Sequence, residues 1–213
     1  LGNTFGPNLN KMHILGNIPK EPFYIACSGG VDSMFMLDFL SRYPQNHFEL
    51  LFFNHGTSDC HNAEAFLRRF CANKNFILHV GNANRVKDKK ESQEEYWRCI
   101  RYDFLNRYID RPILMAHNLD DAVESWVMSS IKGGNPILLP YRRNNIIRPF
   151  LTVSKKEIMS WALRSHLEWS QDQSNEDTVH LRNYIRHVAM PMILHMNPGI
   201  HSMIRRKIIE RGV

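Results

Sequence analysis

Residues 24 to 33 read Tyr24-Ile25-Ala26-Cys27-Ser28-Gly29-Gly30-Val31-Asp32-Ser33. An apolar run stops at a Ser-Gly-Gly turn and passes directly into a helical pattern. A strand, a glycine-rich loop and a helix N-terminus therefore follow one another within ten residues. A helix start presents unpaired backbone N–H groups and the positive end of its dipole, both suited to phosphate. Gly29 and Gly30 lack a Cβ, which lets a ligand approach the backbone. Ser28 and Ser33 add hydroxyl donors. No Lys enters the turn, and the G-x-x-x-x-G-K-[ST] spacing of a Walker loop is absent. Ser28, Gly29, Gly30, Val31, Asp32 and Ser33 form the candidate phosphate cradle.

Outward from this loop the chain alternates. Residues 23–27 read as a strand and 33–40 as a helix. Strands follow at 48–53, 76–80 and 113–116. Helices follow at 62–71, at 92–108 behind the capping box Ser92-Gln93-Glu94-Glu95, and at 119–131. Such alternation implies an α/β, Rossmann-like parallel sheet with helices on both faces. Ligands of such sheets bind beyond the carboxyl ends of the strands, where the Ser-Gly-Gly loop sits. Residues 1–22, rich in Asn, Gly and Pro, read as a loosely ordered lead-in, and 23–150 as the sheet domain. Residues 151–213 read as a basic helical extension packed on it. Within the extension, Ser154-Lys155-Lys156-Glu157 caps a helix to about residue 166, and 168–177 is a polar loop. A helical stretch from 178 to 209 has breaks at Pro191 and Pro198.

The chain has 213 residues, 43% of them hydrophobic, so it can bury a core and is not disordered. Its net charge of +6 favours an anionic partner, of which nucleic acid is the commonest. The four cysteines, Cys27, Cys60, Cys71 and Cys99, include no C-x-x-C pair. That spacing supports neither a zinc knuckle nor an iron–sulfur site, and it fits reduced thiols. No apolar run approaches a membrane span and no signal-peptide pattern is visible, so a cytoplasmic protein is expected.

A second chemical cluster follows the fourth strand: Ala116-His117-Asn118-Leu119-Asp120-Asp121-Ala122-Val123-Glu124-Ser125. Leu119, Ala122, Val123, Trp126 and Val127 fall on one helical face, which should bury. His117, Asp120 or Asp121, and Glu124 step along another. Acids at a helix start are favoured by the dipole alone. Beside a phosphate loop, carboxylates on a rigid helix can also ligate a divalent cation, here Mg²⁺ at Asp32 and Asp121. Glu124 is a candidate general base, with His117 beside it. Asn54-His55-Gly56 ends the second strand, next to the first loop, where Asn54 and His55 could contact adenine.

Ser28 to Ser33 resembles the PP-loop, S-G-G-x-D-S, of ATP pyrophosphatases. Further blocks resemble the tRNA(Ile)-lysidine synthetases, an N-type branch of that family, over about residues 23 to 200. Asn54-His55-Gly56 resembles that family's strand-end N-H-G, and Arg98 with Arg101-Tyr102 its A-R-x-x-R-Y helix. His117, Asp120, Asp121 and Glu124 resemble H-H-L-D-D-x-x-E-T. Arg148-Pro149-Phe150-Leu151 resembles R-P-L-L. Asp172, Ser174, Asn175, Asp177, Arg182, Asn183, Ile185 and Arg186 follow D-x-S-N-x-D-x-x-x-x-R-N-x-I-R. Asn118, Ser125, Tyr96-Trp97 and Cys99 depart from the pattern.

The resemblance implies an ATP- and Mg²⁺-dependent enzyme. It would adenylylate the wobble cytidine of an isoleucine tRNA with a CAU anticodon, then ligate free lysine, releasing AMP and pyrophosphate. Asp32, His117, Asp121 and Glu124 would serve catalysis. Arg98, Arg101, Arg148, Asp172, Asn175, Arg182, Asn183 and Arg186 would contact tRNA or lysine. Alternatively, Arg182 and Asn183 staple the preceding loop to the core through Asp172 and Asp177. The further domains of typical members are not in this chain, so recognition centred on the anticodon stem and loop is expected. A homodimer is compatible with the chain's size. Rival readings are another PP-loop tRNA-modifying enzyme, such as a thiolase or a ligase for a different amine, and a non-catalytic nucleotide- or tRNA-binding module.

Overall fold

The computed structural model describes residues 12–131, 133, 135–171 and 181–212. Four parallel strands carry the frame: β1 (Phe23–Ala26), β2 (Phe48–Asn54), β3 (Leu78–Asn82) and β4 (Ile113–Met115). A short hairpin, β5 (Arg142–Arg143) and β6 (Ile146–Ile147), turns at Asn144 in the left-handed region (φ 56°). β6 runs parallel to β4 and antiparallel to β5, giving the order β3-β2-β1-β4-β6-β5. β1 lies at the centre between β2 and β4, so the loop leaving it opens beside both neighbouring strand ends. Its residues Phe23, Tyr24 and Ile25 are buried, as continuous apolar runs are in a sheet covered on both sides.

Local chemistry places the helices α1 (Val31–Ser41), α2 (Ser58–Lys74), α3 (Gln93–Leu105), α4 (Leu119–Ile131) and α5 (Lys155–Arg164). Ser92/Glu95 and Ser154/Glu157 form the two capping boxes read from the sequence. The second helix begins four residues earlier than its apolar pattern, because the Thr57 hydroxyl accepts from Cys60 N–H and caps it. β3 lies two residues later than its apolar pattern, in register with β2 from Leu50↔Leu78 to Asn54↔Asn82. Gly81 lets the Phe104 ring lie directly on that strand, because a Cβ there would collide with it.

Phe35 and Phe39 of α1 pack against Phe150 and Trp161, so α5 shares the main core rather than forming a separate layer. On the opposite face α3 buries Ile100 and Phe104 against Tyr24, Leu51 and Phe53. Of the expected lead-in, residues 1–11 lie outside the described residues, and 12–22 pack on the core. Leu15 is buried, its N–H donates to Pro149 O, and Met12, Ile14 and Ile18 pack on the core.

The helical tail comprises α6 (Leu181–Tyr184), a π-helical turn (Ile185–Ala189), α7 (Met190–Met196) and α8 (Ile200–Arg211). Pro191 does not break it. The wider π turn immediately upstream absorbs the missing N–H, and Pro191 occupies the first turn of α7. Ile185, Ile200, Ile204 and Ile208 then bury against Leu119 and Val123 of α4.

Candidate active site

α1 starts without a side-chain cap: its N-cap is Gly30, in an extended conformation. The three other helices whose caps are described on this frame, α2, α3 and α5, are each capped by a hydroxyl. The first-turn N–H groups of α1 are thus left for a ligand. Gly29 holds φ +80°, a turn that L residues rarely adopt. Ser33 Oγ donates to Gly30 O at 2.9 Å and lies 3.3 Å from Ser28 Oγ, which fixes both hydroxyls at the turn. Gly29 O accepts from Ser170 N–H, so the chain after α5 clasps the loop from outside.

The loop faces a cavity of about 750 Å³, walled by Ser28, Asp32, His55, Arg101, His117, Lys155, Arg186 and the segment Trp169-Ser170-Gln171. Asp32 meets Lys155 Nζ at 2.8 and 2.7 Å and accepts from Asn118 Nδ2 at 3.2 Å. Burial raises the Asp32 carboxyl above the usual range, against the opposing pull of Lys155. Sequence reasoning missed Lys155 as a site residue. Two adjacent lysines, Lys155 and Lys156, at a helix start oppose the helix dipole, and that was the available signal.

His117 accepts from Arg148 Nε at Nδ1 (3.2 Å), which assigns the proton of the neutral ring to Nε2. Burial pushes its pKa down to about 4, with Arg148, Arg182 and Arg101 adding to the effect and Asp121 opposing it. His55 is likewise pushed down to about 4 by burial and by Arg101. Both rings are neutral at pH 7.

Other site residues are placed differently from the sequence expectation. Asn54 does not line the cavity: its amide donates to Glu64 at 2.7 Å, and its carbonyl oxygen accepts from Gly56 N–H at 2.8 Å. It shapes the end of β2. Asp121 and Asn118 cap α4 reciprocally, at 3.0 and 3.1 Å, and Asp121 Oδ1 accepts from Arg182 at 3.1 Å. Glu124 is buried and off the cavity wall. One oxygen accepts from Arg186 Nε at 2.7 Å, and the other from Arg186 and Arg182 at 3.0 and 3.2 Å. A carboxylate held at both oxygens by two guanidinium groups is an anchor rather than a free general base. Arg182 and Arg186 thereby dock the helical tail on α4. Asp172, Ser174, Asn175 and Asp177 lie outside the described residues. Neither Arg98, exposed and over the Tyr102 ring at 5.7 Å, nor the buried Arg148 lines the cavity. Asn183 is on the short α6, two residues before the π turn.

The donor set fits one cation ligand. Mg²⁺ keeps much of its water and needs only one or two carboxylates beside substrate phosphates. Asp32 borders the cavity, and Lys155 is its exchangeable partner. Asp121, spent on the α4 cap and on Arg182, does not fit. Among the described residues, no group of three or more His, Cys, Asp and Glu side chains could hold a metal unaided.

The sequence matches the family model for the PP-loop domain over residues 7–193. It is 29% identical over 211 residues to the tRNA(Ile)-lysidine synthase of Vibrio parahaemolyticus, covering 91% of this chain and 48% of that protein. It is 32% identical over 197 residues to that of Vibrio vulnificus, covering 85% and 45%. The chain thus spans about half the length of the curated relatives it matches. Among solved structures, the U34-tRNA thiolase of Methanococcus maripaludis has the same fold at 17% identity and TM-score 0.70, over 91% of this chain and 73% of that one. An NH3-dependent NAD synthetase from Campylobacter jejuni gives TM-score 0.52 at 14% identity, over 89% and 84%. With its serine–diglycine loop on the central strand and a family match across most of its length, the chain belongs to the PP-loop family.

Proposed function

We propose that this chain carries out ATP-dependent tRNA modification, adenylylating a wobble cytidine and ligating lysine to its carbon 2 to form lysidine. The observation that carries this reading is the match to curated tRNA(Ile)-lysidine synthases over 85–91% of the chain. The uncapped start of α1 receives the ATP phosphates, with Ser28 and Ser33 hydroxyls at their side. Lys155 adds a positive charge where negative charge develops, once it leaves Asp32. Mg²⁺, held by Asp32 together with phosphate oxygens, would neutralise the pyrophosphate. The cytidine oxygen on carbon 2 attacks the α-phosphorus, and the α–β bridging bond breaks with its electron pair leaving on pyrophosphate. The lysine amine then adds at carbon 2, loses a proton, and AMP departs with the former base oxygen. Neutral His117 holds Arg148 and presents an Nε2 donor at the cavity wall.

Burial raises the Cys27 thiol and pushes Cys71 to about 11, so neither supplies the thiolate that a sulfur carrier needs at pH 7. Cys60 lines the cavity and Cys99 is exposed, so retained activity after replacing both with Ser is what would exclude the thiolase reading. Mass spectrometry of tRNA nucleosides after incubation with ATP and lysine tests the proposal. Lysidine, with AMP and pyrophosphate released in equal amounts, is the expected result. Unmodified cytidine with every amine supplied would overturn it.

A further inference from the structure

α3 returns the chain from the carboxyl end of β3 to the start of β4, a parallel strand of the same sheet. Its first turns therefore stand at the rim where the strands end and ligands bind, and its last turns lie deep. Trp97, Arg101 and Leu105 follow one another by a helical turn and share a face. Arg101 and Leu105 line the cavity. Trp97 is one turn further out on that face, at the cavity mouth.

The core does not account for an indole there. Tyr96, Ile100 and Phe104 are buried and anchor α3 on the sheet, whereas Trp97 is only half-buried. Instead it ends a row of rings that climbs from the core. Phe104 lies 5.6 Å from Phe53, Phe53 lies 5.0 Å from His55, and His55 lies 5.5 Å from Trp97. His55 walls the cavity, and its Nδ1 is buried without a hydrogen-bond partner. Burial, with Arg101 nearby, holds the His55 pKa down to about 4, so an uncharged ring backs the indole at pH 7. A ring already packed from behind loses little freedom when a second ring stacks on it. The next residue, Arg98, is exposed, with its guanidinium carbon 5.7 Å from the Tyr102 ring centre. A fixed aromatic face beside an exposed guanidinium suits an unstacked nucleobase and the phosphate that follows it.

We propose that Trp97, backed by His55, is a stacking platform for an unpaired base of the RNA substrate, the neighbour of the base that enters the cavity. This rests on the proposed function for the identity of the RNA. Tyr96-Trp97 departs from the family pattern, so the platform is a feature of this chain. It supplies affinity and holds the loop in register, and takes no part in the chemistry. The ATP phosphates have their own receptor in the start of α1.

Binding of a tRNA with a CAU anticodon, carrying 2-aminopurine on one or the other side of the wobble cytidine, tests this on protein saturated with a non-hydrolysable ATP analogue. Stacking should quench the 2-aminopurine emission at one of the two positions. Trp97→Ala should abolish that quenching and weaken the tRNA about 5- to 100-fold, the worth of one base–aromatic stack. Trp97→Tyr should restore both, to within about threefold of the unaltered protein. Trp97→Leu keeps apolar packing on His55 without a ring. It should behave as Trp97→Ala does, and it covers the case in which that variant does not fold. The slope of log affinity against log salt should not change in any of them, because no phosphate contact is lost. Quenching at neither position, or tRNA affinity unchanged in Trp97→Ala, would overturn the inference. So would a variant that loses the ATP analogue and keeps the tRNA, because the indole would then serve adenine. Quenching through Trp97 without lysidine formation would leave the platform standing and sink the proposed reaction. Lysidine formation with tRNA binding indifferent to Trp97 would do the reverse.

Discussion

At the scale of single residues, the site is defined by what is left unsatisfied. Gly30 has an ordinary extended backbone, and a Cβ there would meet only Ser28 Oγ, at 3.5 Å. Gly30→Ala should therefore fold with an unchanged thermal midpoint, yet put a methyl group where a phosphate approaches the helix start. A loss of ATP affinity of about 100-fold or more is expected by equilibrium binding, about 3 kcal/mol; unchanged affinity would show that the phosphates sit elsewhere. His55 and His117 supply a pH dependence of known sign. Each folded-state pKa is near 4, against 6.5 for the free side chain. The unfolded chain thus binds more protons between those values. Their contribution to stability is whole above about pH 6.5 and is lost as pH falls towards 4. Urea midpoints measured from pH 7.5 to 4.5 should fall across that window, and His55→Gln should make the fall shallower. An identical pH profile for the variant would refute the assignment.

At the scale of elements, two carboxylates of α4, Asp121 and Glu124, hold the arginines of the tail, and Glu124 is the buried one. Glu124 of α4 takes both Arg182 and Arg186, which lie on α6 and in the π turn, while Ile185 between them buries against α4. Removing one member of a buried ion cluster leaves the others unpaired. Both arginines are partly exposed, which softens the loss. Glu124→Gln should thus lower stability by about 1–3 kcal/mol. It should also make residues 181–196 more sensitive to limited proteolysis. A variant as stable and as protease-resistant as the parent, with turnover down 100-fold or more, would restore Glu124 to acid–base work.

At the scale of the whole molecule, the surplus of six positive charges is unevenly free. Arg205 is committed to Glu157 at 2.9 Å, whereas Arg206 reaches Glu210 only at 3.8 Å with both side chains largely exposed. Arg206 and Lys207 on α8 are the better candidates for an RNA backbone. Replacing both with Ala should weaken tRNA binding across sequences and reduce the slope of log affinity against log salt by about 1–2. An unchanged slope would remove α8 from the RNA-binding surface. No helix among the described residues is long and apolar enough to cross a membrane.

The sequence by itself determined the frame and the loop. Strand runs, helical spacing, the Ser92 and Ser154 capping boxes and the Ser28–Ser33 cradle are local patterns, readable because each depends on residues a few positions apart. Element edges slipped where one atom decided, as at Thr57, whose hydroxyl extends α2. Pro191 was misread because a π turn, a matter of backbone register, absorbs it. Only the tertiary structure decided which charges meet. Lys155 reaches Asp32 across 123 positions, and Arg182 and Arg186 reach Glu124 across 58 and 62. Spacing cannot encode such pairings, because they follow from how α4, α5 and the tail pack on the sheet. The same packing pairs Glu124, a candidate base by sequence, with two arginines, and leaves Arg101 Nε without a hydrogen-bond partner among the described residues.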